Sequence, residues 1–227
     1  MSSADRVIAA GRDTEIVDHG PGRVLRRPRV PRSMEAEGHI MAWVTDHGYP
    51  CPEVFEVGEE GLVMARVDGV SMLDDLVAHP WRVRSHATLL ADLHGWLHRL
   101  PVPSGLAEPF GPGAALLHGD LHPGNVMLAA DGPMVIDWTN AVRGPAGADV
   151  AVTWLLMAAG QVETSAVERL AVLALRRILV RSFLRTAGPA EATRALDAVF
   201  AHRRGDANLS PDELEAMRRI VAHHRPG

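Results

Sequence analysis

The chain has no lysine; all 23 of its basic residues are arginine. Any task that usually falls to a lysine ammonium, phosphate binding among them, must here fall to a guanidinium. The bias itself reads as genome composition and not as a functional signal. Cysteine is nearly absent as well. The single Cys51, between Pro50 and Pro52, excludes an intramolecular disulfide and a cysteine-rich zinc site, and it reads as a small buried filler. No apolar run reaches the roughly 20 residues of a membrane span. The first ten residues lack the apolar segment of a signal peptide, which makes the cytoplasm the expected compartment. Nor is there an excess of positive charge: 28 acidic residues give a net charge of −5 and a pI near 6.2, so a broad nucleic-acid-binding surface is not expected.

Against these absences stand 227 residues, 47% of them hydrophobic and spread along the whole length, enough for a real core in one or two domains. Residues 6–9, 14–18 and 23–27 read as short strands, the last two joined by Gly20, Pro21 and Gly22. A helix is expected after Ser33 as N-cap, running to about His47 and stopped by Gly48. Residues 54–57 and 62–67 read as strands joined by Glu59, Glu60 and Gly61. Beyond them the pattern is helical. Leu89, Leu93, Leu97 and Leu100 share one face of a helix over 85–100. A proline- and glycine-rich connection follows, and helices are expected near 149–159, 165–186, 190–203 and 211–224. Ser165 with Glu168 and Ser210 with Glu213 form capping boxes, the second with Pro211 at the first helical position. Arg169, Arg176, Arg177, Arg181 and Arg185, beside Leu170, Leu173 and Leu184, read as the solvated face of one of these helices. The expected class is α+β, with a strand-rich lobe over 1–67 and a helical lobe over 68–227.

The chemistry is concentrated in one stretch. His118, Gly119, Asp120, Leu121, His122, Pro123, Gly124 and Asn125 are followed by an apolar run and then by Ile136, Asp137 and Trp138. Residues 126–128 and 134–136 read as a hairpin closed by a three-residue turn of Ala130, Asp131 and Gly132. Counting outward from Asp131 sets Asn125 opposite Asp137, and opposed residues share a face. Both offer hard oxygen ligands, which suit magnesium. Asp120 lies in a glycine- and proline-rich loop from which its carboxylate can take a hydroxyl proton during phosphoryl transfer. His118 reads as a packing residue.

This stretch resembles the aminoglycoside phosphotransferase and choline kinase-like family, whose members share the protein-kinase fold, and the resemblance extends over most of the chain. It implies Asp120 as catalytic base, Asn125 and Asp137 as Mg²⁺ ligands, ATP with GTP as the alternative donor, and a small-molecule hydroxyl as acceptor. Asp149 is similar to the family's later acidic residue that braces the catalytic loop; by itself it would read equally as a helix N-cap. Residues 11–15 resemble the loop over the nucleotide phosphates, with Gly11 in its turn. Residues 23–27 resemble the strand that normally ends in the phosphate-binding lysine, a place given to Arg26, with Arg27 second. Glu37 resembles that residue's acidic partner, the alternative being an exposed first-turn glutamate. Residues 62–69 resemble the strand and hinge beside the adenine, with Met64 behind the base and the backbone of Ala65 and Val67 along its edge.

Two other readings stand beside this one. His118, Asp120 and His122 alternate, and on a strand they would form a zinc site of a metal-dependent hydrolase. The missing lysine suits a non-catalytic kinase-like binding protein, although such a protein has no chemical need for Asp120, Asn125 and Asp137 together. The acceptor is left open among aminoglycosides, macrolides, choline-like amines and sugars. Trp138, Trp154 and Met157 are candidates for its wall or for simple core.

Overall fold

The computed structural model describes residues 6–11, 13–160 and 166–224. The α+β class is observed. The fold divides into two compact units: one runs to Val70 and includes Met127–Thr139, and the other holds Ser71–Val126 and the chain from Asn140 onward. Among the described residues no helix is long and apolar enough to cross a membrane.

The first unit is built on an antiparallel sheet of β1 (Val7–Ala10), β2 (Thr14–Asp18), β3 (Arg23–Pro28), β4 (Val54–Gly58) and β5 (Gly61–Ala65), in the order β1-β2-β3-β5-β4. Alternation along β2, β3 and β5 brings Val17, Leu25 and Val63 into one buried cluster, Val17 lying opposite Leu25 and Leu25 opposite Val63. Helix α1 (Glu35–Asp46) packs on this unit through Ile40, Met41 and Val44. Gly38 permits the close approach, since a Cβ there would lie 2.6 Å from Val57. Ser33 is not the N-cap: that position is Met34, and Ser33 Oγ instead accepts from the amide of Glu35 at 3.2 Å. β5 ends at Ala65, so Val67 lies beyond the strand expected to contain it.

A second small sheet joins β6 (Gly69–Ser71), β8 (Val126–Ala129) and β9 (Gly132–Val135); the intervening β7 (Ala115–Leu117) pairs with β10 (Val142–Gly144) in the second unit. The hairpin exists, but its connection is Ala130 and Asp131 alone. Gly132 already belongs to β9 with φ +124°. Asn125 closes a short 3-10 turn over Pro123–Asn125, and Asp137 lies past the end of β9. Neither residue is a rung of the ladder that was expected to oppose them. Trp138 is core: its ring meets Tyr49 edge-on at 5.6 Å, and its Nε1 donates to Val135 O at 3.1 Å.

The second unit is helical: α2 (Met72–Ala78), α3 (Val83–Leu97), α4 (Ala146–Ala159), α5 (Ala166–Ala187), α6 (Pro189–Arg203) and α7 (Pro211–His224). Helix α4 is apolar nearly all round and packs on α5, α6 and α7, as a buried central helix must. The face that α3 buries runs through Val83, Ala87, Leu90, Leu93 and Leu97 and includes His86 and His94. Leu89 and Leu100 of the expected face are only half-buried. Helix α2, capped by Ser71, has no counterpart among the helices expected from periodicity. Its Asp75 ties it to the turn after it and to the start of α3, at 2.9 Å from His79, 2.9 Å from Arg82 and 2.6 Å from His86. The Ser210–Glu213 capping box forms with both reciprocal bonds, at 3.2 and 2.9 Å. The Ser165–Glu168 box lies outside the described residues.

On α5, Arg177, Arg181 and Arg185 are exposed as expected, but Leu170 is exposed too, and the buried positions are Leu179, Val180, Ser182 and Phe183. Arg176 is not simply solvated. Its guanidinium donates to the carbonyls of Ala158 and Gly160, satisfying the open C-terminal end of α4 with a cation.

Candidate active site

In the strand-rich unit, β3, α1 and the segment after β9 bring four side chains together. Arg26 is 7% exposed at its side chain; its Nε lies 3.3 Å from Glu37 Oε1, and one terminal nitrogen lies 2.6 Å from Asp137 Oδ1. Arg27 turns instead toward Glu15 at 3.5 Å, which selects Arg26 as the buried member of the pair. Glu37 is therefore not an exposed first-turn glutamate. Burial pushes its carboxyl above the ordinary range, opposed by the Arg26 guanidinium, while the Asp137 charge pushes it further up. Thr139 completes the cluster, and no local pattern in the sequence had pointed to it. Its hydroxyl lies 3.0 Å from Glu37 Oε2 and 3.0 Å from Asp137 Oδ1, and it accepts from Arg26 at 3.3 Å and from Arg32 at 3.4 Å. One hydroxyl proton serves two carboxylates, so Thr139 can satisfy only one at a time.

Backbone geometry marks the same spot. Among the described residues Asp137 is the non-glycine residue with positive φ, +65°, a conformation that aspartate tolerates better than most side chains do. Gly61 has φ +145°, and a Cβ there would run into the carbonyl of Arg26. The remaining nucleotide-side expectations fare unevenly. Met64 is buried in β5 opposite Val24. The amide of Ala65 already donates to Glu53 O at 2.8 Å, which confines any contact of Ala65 with a base to its carbonyl. Gly11 sits in a turn, its amide donating to Thr14 O at 2.8 Å, but a Cβ would meet only ordinary contacts there, so nothing demands glycine. Arg12 lies outside the described residues.

In the helical unit, residues 118–122 follow β7 as a loop and not as a strand, so the alternating zinc arrangement of His118, Asp120 and His122 is not formed. Among the described residues no group of three or more His, Cys, Asp or Glu side chains is placed to hold a metal. The loop is held from beneath. Asp149, fully buried on the first turn of α4, accepts from the amides of His118 at 3.1 Å and Gly119 at 2.8 Å and from His98 Nε2 at 3.0 Å. Pro145 occupies the N-cap position, so Asp149 spends its carboxylate on the loop and not on its own helix. Burial alone raises the carboxyl of Asp149, but the His98 bond and the neighbouring histidines outweigh it and hold it below the ordinary range. Gly119 has φ +75°, and a Cβ there would strike the carbonyl of Asn140. Behind the loop, Thr153 Oγ donates to Leu121 O at 2.6 Å and lies 2.9 Å from His94 Nε2. His94 is buried, and burial depresses it to about 4.

Asp120 itself is 21% exposed at its side chain. Asn125 Nδ2 donates to its carbonyl at 2.9 Å and approaches its Oδ2 at 3.3 Å. His122 accepts from the Gly124 amide on Nδ1 at 3.0 Å, which leaves Nε2 as the nitrogen facing Asp120 Oδ2, 3.9 Å away. A further partner, equally unsignalled in the sequence, is Arg203 from the end of α6. Its terminal nitrogen lies 2.6 Å from Asp120 Oδ1 and 2.8 Å from Gly119 O. Trp154 and Met157, candidates for acceptor wall or core, are buried, and the Trp154 ring meets His224 edge-on at 4.7 Å.

The model of the phosphotransferase enzyme family matches residues 6–114 and 107–187. A search of curated proteins finds no match. Among solved structures, the aminoglycoside phosphotransferase APH(4)-Ia is similar at 16% identity and a TM-score of 0.66, covering 99% of this chain and 95% of that one. A thermostable mutant of the same protein, in a ternary complex with AMP-PNP and hygromycin B, is similar at 14% identity and a TM-score of 0.67, over 99% and 95% of the two chains. Choline kinase from Cryptosporidium parvum Iowa II is similar at 11% identity and a TM-score of 0.60, over 97% and 87%. At these identities the likeness is one of fold, the protein-kinase-like fold.

Proposed function

The chain belongs to the phosphotransferase enzyme family, and we propose that it moves the γ-phosphoryl group of ATP, with GTP as the alternative donor, to a hydroxyl of a small molecule in the cytoplasm. The observation that carries this reading is the partly exposed Asp120 carboxylate on a loop whose amides are gripped by the buried Asp149. A base must be both reachable and held still, and this arrangement supplies both. In the step, the acceptor oxygen bonds to the γ-phosphorus and its proton passes to the Asp120 carboxylate. The bond from phosphorus to the bridging oxygen breaks, and the nucleoside diphosphate leaves with that electron pair.

Asn125 and Asp137 would hold magnesium. The amide nitrogen of Asn125 is committed to Asp120, which leaves its Oδ1 as the ligating atom; Asp137 adds a carboxylate. Two hard oxygens suit an ion that completes its shell with water and phosphate. When bound, the ion neutralises charge on the phosphates. On the nucleotide side Arg26, steadied by Glu37, would contact phosphate, with Met64 and the backbone at Ala65 and Val67 near the base and Gly11 in the turn over the phosphates. The acceptor would lie by the Asp120 loop and the helices beyond Asp149.

The test is a panel of hydroxyl-bearing antibiotics, amines and sugars incubated with Mg·ATP and followed by mass spectrometry for a phosphorylated product. Product formed by the wild type and lost in Asp120→Ala supports the reading. A magnesium-dependent thermal shift with ATP, without product or ADP release, would replace it with a non-catalytic binding role.

A further inference from the structure

Arg203 takes no part in the proposed transfer step, and it lies beyond the residues that the family model matches. It is the last residue of α6, and its side chain is 9% exposed. A guanidinium removed from water must have its donors matched, and this one has three acceptors at short range. One terminal nitrogen donates to Gly119 O at 2.8 Å and to Asp120 Oδ1 at 2.6 Å, and the other donates to Asp206 Oδ2 at 2.8 Å. The planar fork is what allows this. Two N–H groups on one nitrogen span a backbone carbonyl and a carboxylate while the second nitrogen is anchored elsewhere, a pattern that the single nitrogen of a lysine cannot reproduce.

The contact makes the two oxygens of Asp120 unequal. Oδ1 is turned into Arg203, whereas Oδ2 faces Asn125 Nδ2 at 3.3 Å and His122 Nε2 at 3.9 Å. We propose that Arg203 is a positioning residue for phosphoryl transfer, fixing the Asp120 carboxylate against its own loop carbonyl so that Oδ2 is the oxygen presented to the acceptor hydroxyl. The proposal rests on Asp120 being the base. Because Arg203 grips the backbone of Gly119 as well as the side chain of Asp120, loop and carboxylate are held as one piece, and Asp206 holds the arginine in turn. Loss of this grip lets the carboxylate turn away from its productive orientation, and misplacement on that scale costs about 10²-fold in rate. The partners of Arg203 among the described residues are Gly119, Asp120 and Asp206, none of them assigned to the nucleotide, so its loss is expected to fall on turnover and not on nucleotide affinity.

The experiment compares Arg203→Met, Arg203→Lys, Asp206→Asn and Asp120→Asn. Three readings are taken for each: ADP release from Mg·ATP with water as acceptor, the Kd for Mg·AMP-PNP, and the crystal structure of the loop. Arg203→Met is expected to lower kcat about 10²-fold with KM and Kd within about threefold of wild type, and to show the Asp120 carboxylate in more than one orientation. Arg203→Lys recovers part of the loss by returning the charge without the fork, and Asp206→Asn costs about three- to tenfold. Wild-type turnover in Arg203→Met beside an inactive Asp120→Asn overturns the proposal, as does an unchanged single orientation of Asp120. Full activity in Asp120→Asn overturns the assignment of the base instead, so the two failures are distinct. Should Arg203→Met not fold, wild-type turnover in both Arg203→Lys and Asp206→Asn overturns the proposal.

Discussion

Among the described residues each compact unit carries one buried arginine paired with an aspartate that is a candidate functional residue, and the two arginines are held differently. Among the described residues the Arg26 guanidinium has side-chain partners alone: Glu37, Asp137 and the hydroxyl of Thr139. Arg203 has Asp120 and Asp206 but also the backbone carbonyl of Gly119. A guanidinium among side chains can exchange partners when a phosphate or a cation arrives, because each partner can rotate. One bonded to backbone moves only if the chain moves. Arg26 is thus held by groups that can each turn away, and Arg203 partly by a group that cannot. Acid separates the two units as well. Glu37, raised by burial, contributes stability below its ordinary range that is lost as pH rises through its folded value. His94, depressed by burial, contributes stability above its ordinary value that is lost as pH falls.

The sharpest test of this contrast is Asp120→Ala, which is expected to lower turnover about 10³-fold while the Kd for Mg·ATP stays within about threefold. A parallel loss of nucleotide binding, read by calorimetry, would show that the two halves are not separable in function. Next comes Asp149→Ala. It strips the partner from two loop amides and His98, and it is expected to cost about 3 kcal/mol in urea unfolding and to lower turnover with it. For pH, the His94 ring lies at about 4 in the fold, against its ordinary 6.5. Stability should therefore decline by up to about 3 kcal/mol as pH falls from 6.5 to 4, with no further loss from this group below that. His94→Gln should flatten that part of the pH–stability curve, and an unchanged slope would remove His94 as its source. The smallest effect is expected from Arg26→Lys, a change of about three- to tenfold in the Kd for Mg·ATP with turnover at saturation nearly kept. An unchanged Kd would mean that Arg26 serves only Glu37 and Asp137.

Much of the fold is legible in the chain without its coordinates, and the division has a physical cause. The four C-terminal helices follow from apolar periodicity together with local punctuation such as Ser210, Pro211 and Glu213, which act within a single turn. Strand β2 is legible for the same reason, being bounded by turn residues on both sides. Ser33 misleads because its hydroxyl does bond a helical amide, only from one position too early. The hairpin turn misleads by one residue because Gly132 suits a loop and a strand start equally well. Thr139 and Arg203 are invisible for a different reason. Thr139 meets Glu37 across 102 residues of sequence and Arg203 meets Asp120 across 83, and no local pattern of charge or hydropathy records such a meeting. A lone arginine near a helix end looks the same whether it faces water or a carboxylate.

The strand-rich unit is not one continuous stretch of chain, because Met127–Thr139 belongs to it while Ser71–Val126 does not. During synthesis, then, a nascent chain that has emerged only as far as residue 70 holds Arg26 and Glu37 but still lacks Asp137 and Thr139. The Arg26–Glu37 pair must wait for more than half of the polypeptide before Asp137 and Thr139 join it, and a truncated fragment ending at residue 70 would hold that pair without them.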